Sequence, residues 1–138
     1  MEESAAAERW RIRFTDGKVV EVVIWAGREG YEAALAGAPA EDLRDGYACF
    51  KASRVRENGR KVGEIHLVKG NYGVGVIAHD CLHAVFHWLM FRTVEEIQEI
   101  EEEELCVQLG VIVKEFWIKH YAKNKKENRA IIQLQAAN

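Results

Sequence analysis

The sequence predicts an α+β domain, and three observations carry that prediction. Arg9-Trp10-Arg11-Ile12-Arg13-Phe14 alternates polar and apolar residues strictly, just ahead of Asp16-Gly17. A second pair of strand-like runs flanks Asn58-Gly59. From Val74 onward the patterns are helical: an apolar run to about Phe91, then a capping box at Thr93 and Glu96.

The first element is a β-hairpin over Arg9–Trp25. Alternation puts Trp10, Ile12 and Phe14 on one face and three arginines on the other, where a solvated face explains them without a phosphate ligand. Asp16-Gly17 supplies the tight turn, because glycine accepts positive φ. A short helix between Gly30 and Gly37 follows, then a loop from Pro39 through Asp45-Gly46. Strands are expected over 47–56 and 61–69. The apolar run 74–91 reads as a central helix buried on nearly every side. Thr93 then caps a long helix to about Lys123, with room for a bend near Gly110. The last stretch, 124–138, reads either as a frayed helix or as a docking tail.

Composition places these elements in one domain. The 138 residues are 49% hydrophobic and 30% charged, with a net charge of −3 and a pI near 6.0. Nothing in that balance drives the chain toward nucleic acid or an anionic membrane. No apolar run approaches the roughly 18 residues that span a bilayer. The acidic start, Met1-Glu2-Glu3-Ser4, is not followed by an apolar signal core. Cys49, Cys81 and Cys106 form an odd set without C-x-x-C spacing, the pattern of reduced thiols in a cytoplasmic protein. Oligomeric state is not readable.

The chemistry-bearing string is His79-Asp80-Cys81-Leu82-His83. Two histidines four apart on a helix project from one face, about one turn apart, and can grip one Zn2+ at roughly 2.0–2.1 Å each. A lone histidine in an apolar helix is more often a core residue; a pair side by side is costly to bury without a shared partner. A third donor is required, and Glu101-Glu102-Glu103-Glu104 offers it. Glu103 shares a helical face with Cys106, Gly110, Val113 and Trp117, whose small members would let two helices approach closely. It is preferred over Glu104, whose face carries Gln108, Val111 and Glu115. An ordinary solvated acidic run accounts for at least two of the four glutamates. His87, one turn past His83, is too far along the helix to share one ion with His79 and reads as a supporting or core residue. His66 could serve as a substrate or oxyanion group, or be a plain strand residue.

These residues resemble a minimal zincin family, the small metallopeptidase-like proteins of phages and mobile elements. Gly63-Glu64-Ile65-His66-Leu67 followed by Ala78-His79-Asp80-Cys81-Leu82-His83-Ala84 is similar to that family's strand and its A-H-E-x-x-H-A helix. Glu103-Leu105-Cys106-Gly110 is similar to its glutamate helix, E-x-x-A-x-x-x-G, and also favours Glu103. The similarity covers residues 46–123. It implies a small mixed sheet packed on two helices, with Lys61–Lys69 as an edge strand to which a peptide adds by strand pairing. It further implies Zn2+ held by His79, His83 and Glu103, and a water activated by the residue after the first histidine to hydrolyse a peptide bond.

That residue is Asp80, where the family pattern has glutamate. Its carboxylate sits about 1.5 Å closer to the backbone, one C–C bond. A displacement of about 1 Å can cost roughly 100-fold in rate. Three readings follow: a zinc peptidase with Asp80 as general base, a catalytically silent zinc-binding relative that serves as a structural or peptide-interaction module, and a metal-free domain with core histidines.

Overall fold

The computed structural model describes residues 6–36, 46, 48–53 and 59–137, with side chains described up to residue 122. The elements run β1 (Ala6–Arg13), β2 (Val19–Trp25), α1 (Arg28–Ala34), β3 (Ala48–Ala52), β4 (Lys61–Val68), α2 (Val74–Leu89), α3 (Val94–Glu99) and α4 (Glu102–Ala137). The four strands form a mixed sheet in the order β1-β2-β4-β3. β1 and β2 pair antiparallel, β2 and β4 parallel, and β4 and β3 antiparallel. The α+β class read from the sequence is the observed one.

The hairpin forms as its alternation dictates. Ile12 and Phe14 are buried with Val20, Val22 and Ile24 beneath α2 and α4, while Arg9, Arg11 and Arg13 are exposed on the other face. Gly17 turns the chain at φ 92°, and the Asp16 carboxylate accepts the Lys18 backbone N–H at 3.0 Å. The turn also locks the layers together. Asp16 Oδ2 accepts from Trp88 Nε1 at 3.1 Å and from the Arg92 guanidinium at 2.9 Å, at the end of α2. The neighbouring Thr15 exchanges two hydrogen bonds with the buried Gln108 amide of α4. Gln108 therefore belongs to the core side of α4, not to the polar face expected of it.

β4 corrects the expectation that Lys61–Lys69 is an edge strand. It is bonded on both sides, to β2 and to β3, and among the described residues the sheet ends at β1 and β3, of which β3 packs against α2. The reason is burial on both faces. Val62, Ile65 and Leu67 join the α2/α4 core, while Val68 joins Val23, Trp25, Tyr31 and Leu35 under α1. Both-sided burial is the mark of an interior strand.

On that α1 side His66 is 3% exposed. Its Nδ1 accepts from the Trp25 indole at 2.9 Å, so Nε2 carries the proton and donates to Glu64 Oε1 at 2.8 Å. Donation from His66 holds the Glu64 carboxyl down at about 2, against its partial burial, with Lys61 assisting. A depressed folded-state pKa stabilises above the unfolded value of 4.5 and is lost as pH falls toward 2. After solvent screening the expected share is about 1–2 kcal/mol. Acid titration of urea stability should show Glu64→Gln losing this dependence; an unchanged acid limb overturns it.

Two helical expectations also change. α2 is buried along one stripe only, Ile77, Cys81, Ala84, Val85 and Trp88, with Asp80 at its margin. Leu82, Phe86 and Met90 are exposed, because the sheet and α4 cover a single face. The capping box at Thr93 forms as read, but α3 ends at Glu99 and α4 starts anew at Glu102. Ile100 between them is extended, at φ −71° and ψ 127°. α3 buries nothing, whereas Ile100 and Leu105 pack on the core. The chain must leave the first helix to bring them there. α4 then continues as one helix through Gly110 to Ala137, which makes residues 124–137 helical.

Pro39, Asp45 and Asn58 lie outside the described residues. α1 starts at Arg28, two residues before the expected glycine boundary. Among the described residues no helix is long and apolar enough to cross a membrane.

Candidate metal site

His79 and His83 converge as their spacing requires. Their Nε2 atoms stand 3.2 Å apart, one ring donating to the other, on the exposed face of α2. Nitrogens at that separation, each roughly 2.05 Å from one ion, subtend an angle of roughly 103°, near the tetrahedral value. That separation is compatible with two donors to one ion.

Phe50 braces the pair. It projects from the edge strand β3, and its ring stacks on His83 with centroids 6.3 Å apart and an interplanar angle of 11°. It also meets His87 at 5.1 Å. Burial pulls the His87 pKa down, and the nearby His83 adds to the effect. His87 is thus a neighbour of the pair packed on Phe50, in keeping with the supporting role read for it. Sequence reasoning passed over Phe50. The alternation Ala48-Phe50-Ala52 places it on one face of β3, but only the strand order sets that face against the histidines.

Glu103 does not join them. Among the described residues no three His, Cys, Asp or Glu side chains group closely enough to hold a metal ion. Glu101 to Glu104 are all exposed, and Glu102, Glu103 and Glu104 occupy the first turn of α4. There the helix dipole favours negative charge, which accounts for the run without a ligand role. The close approach expected at Cys106 and Gly110 is absent as well. Cys106 is exposed, and a Cβ at Gly110 would meet nothing within 4 Å. Gly110→Ala should therefore stabilise the protein by about 0.5–1 kcal/mol through helix propensity, read from the urea midpoint. A destabilised variant would show that the glycine serves a close contact.

Asp80 is buried although His79 and His83 on the same helix are exposed. It is 3% exposed, and Oδ2 has no hydrogen-bond partner among the described residues. Burial pushes its carboxyl up to about 6, against the pull of His79. Cys81 beside it is pushed up to about 12 by burial and then by the Asp80 charge, which makes it an inert thiol at neutral pH. His66 lies across the sheet under α1, stacked on Trp25, and takes no part here.

The site is thus a pair of histidines on an exposed helix face, bordered by Leu82, Phe86 and Met90 and flanked by β3, which among the described residues pairs only with β4. Comparison of the chain with protein-family models, with curated proteins and with solved structures gave no match.

Proposed function

We propose that this protein is a zinc-binding, metallopeptidase-like module that recognises a peptide or protein segment and is catalytically silent. The supporting observation is the His79/His83 pair, with its 3.2 Å spacing on an exposed apolar helix face. His79 and His83 would hold Zn2+, whose remaining positions need donors from outside this pair, since structural and catalytic zinc sites use three or four protein ligands. A bound segment is the natural source. It would pair with the outer edge of β3, lie across Leu82 and Phe86, and present a side chain to the ion.

The silent reading rests on Asp80. A general base must reach the proton that it removes, and this carboxylate is only 3% exposed, with Oδ2 buried, whereas His79 and His83 lie on the exposed face. The resemblance to minimal zincins fits this division, with the histidines kept and the glutamate replaced.

Equilibrium dialysis of chelator-stripped protein against zinc tests the reading. One zinc per chain is expected, lost in His79→Ala/His83→Ala without loss of helical circular dichroism. Stoichiometry near zero in the wild type sinks the proposal. Wild-type cleavage of a mixed peptide library, abolished by Asp80→Ala, would replace the silent module by a peptidase.

A further inference from the structure

Two of the three β1 arginines, Arg11 and Arg13, have a second setting that the hairpin alternation did not reveal. Antiparallel pairing sets Arg13 opposite Val19, and the parallel pair sets Val19 beside Lys61. On the sheet face away from α2 and α4, Arg11, Arg13, Arg60 and Lys61 surround Val19, enclosing a cavity of about 270 Å³. Val19 is 4% exposed and forms the floor. α1 packs at the other end of this face, over Trp25 and Val68, and among the described residues nothing packs over the basic end.

The charges there are unequally balanced. Lys61 is answered by Glu21 at 3.4 Å and by Glu64. Glu21 is itself shared with Arg9, at 3.0 Å. Arg60 donates to the Gly17 carbonyl, a neutral partner, at 3.4 Å. Neither Arg11 nor Arg13 forms an ion pair among the described residues, although the chain as a whole is acidic at −3. Three guanidinium groups therefore share one small concavity, and among the described residues none of them forms an ion pair, although Glu21 stands opposite Arg11 in the antiparallel pair.

We propose that this cavity binds the phosphate group of a small phosphoester or pyrophosphate. Guanidinium forks match phosphate oxygens in pairs of parallel hydrogen bonds. A volume of about 270 Å³ lies just below the usual range for small-molecule pockets, so it admits a phosphoryl group with a small substituent and little more. Among the described residues no aromatic ring lines it, which gives no stacking platform of the kind with which proteins hold single-stranded nucleic acid. The anion would also relieve the repulsion between Arg11, Arg13 and Arg60, tightening the hairpin against β4.

Calorimetric titration of the metal-free protein with pyrophosphate tests this. Saturable one-to-one binding is expected in the wild type, weakened at least tenfold in Arg11→Ala/Arg13→Ala and, separately, in Arg60→Ala. Arg9→Ala, on the same strand face but outside the cavity, should bind as the wild type does. Absence of saturable binding overturns the proposal, as does equal loss in Arg9→Ala. A single-stranded oligonucleotide that binds more tightly than pyrophosphate through the same arginines would overturn it in favour of a nucleic-acid surface.

Discussion

Gly63→Ala is expected to destabilise the protein by about 2–3 kcal/mol, because the edge strand lies directly over this position. A Cβ there would collide with the Phe50 ring and stand 2.7 Å from the Lys51 carbonyl oxygen. The ring could swing aside, but the carbonyl belongs to the β3 backbone, which pairs with β4 from Ala48 to Ala52. The clash outweighs the gain of about 0.4–1 kcal/mol that alanine brings by restricting the unfolded chain. Urea denaturation of a double-mutant cycle separates the two contacts. Phe50→Ala should recover only part of the loss, leaving Phe50→Ala/Gly63→Ala still about 1 kcal/mol below Phe50→Ala. Full recovery would mean that the ring alone sets the constraint. The same variant bears on the proposed function: Phe50 stacks on His83, so displacing β3 should also weaken the zinc binding proposed for the His79/His83 pair.

The second large effect is a gain. Asp80→Asn should be more stable than the wild type at pH 7.5 by about 2 kcal/mol, measured in chelator so that no metal contributes. The sign follows from the raised pKa. Asp80 titrates at about 6 in the folded protein against 3.8 as its ordinary value. Between those values the folded state holds more protons than the unfolded one. Stability therefore falls as pH rises from about 4 to 6, and the full penalty persists above. The amide cannot ionise, so the pH-dependent difference between the two proteins should shrink below pH 6 and vanish near pH 3. A difference that is constant from pH 4 to 7.5 would show that the carboxylate finds a partner and carries no desolvation penalty. A buried carboxylate whose Oδ2 finds no partner among the described residues, one position after His79, is a cost that packing alone does not explain. Its removal therefore also measures how much stability the site has given up.

Local patterns made much of this legible. The alternation from Arg9 to Phe14 and the Asp16-Gly17 turn determined the hairpin, because a period of two and a positive-φ glycine leave few other solutions. The i, i+4 spacing brought His79 and His83 together, since helix geometry fixes neighbours one turn apart. The Thr93/Glu96 capping box likewise needs only a local partner.

What failed were statements about partners distant in the chain. A sequence does not say which strand lies at an edge, and so β4 was read as the edge when β3 occupies it. Helical periodicity did not reveal that Ile100 would leave the helix to reach the core, which turned one expected helix into two. It also left Glu103 aimed at a helix that never closes on it. Asp80 shows the same limit at one residue: its position after His79 was plain, but which way it points depends on the stripe of α2 that the sheet and α4 together bury. The sequence by itself determined the pairing of His79 and His83. The tertiary structure alone decided its surroundings, because burial and strand order arise from contacts among residues tens of positions apart.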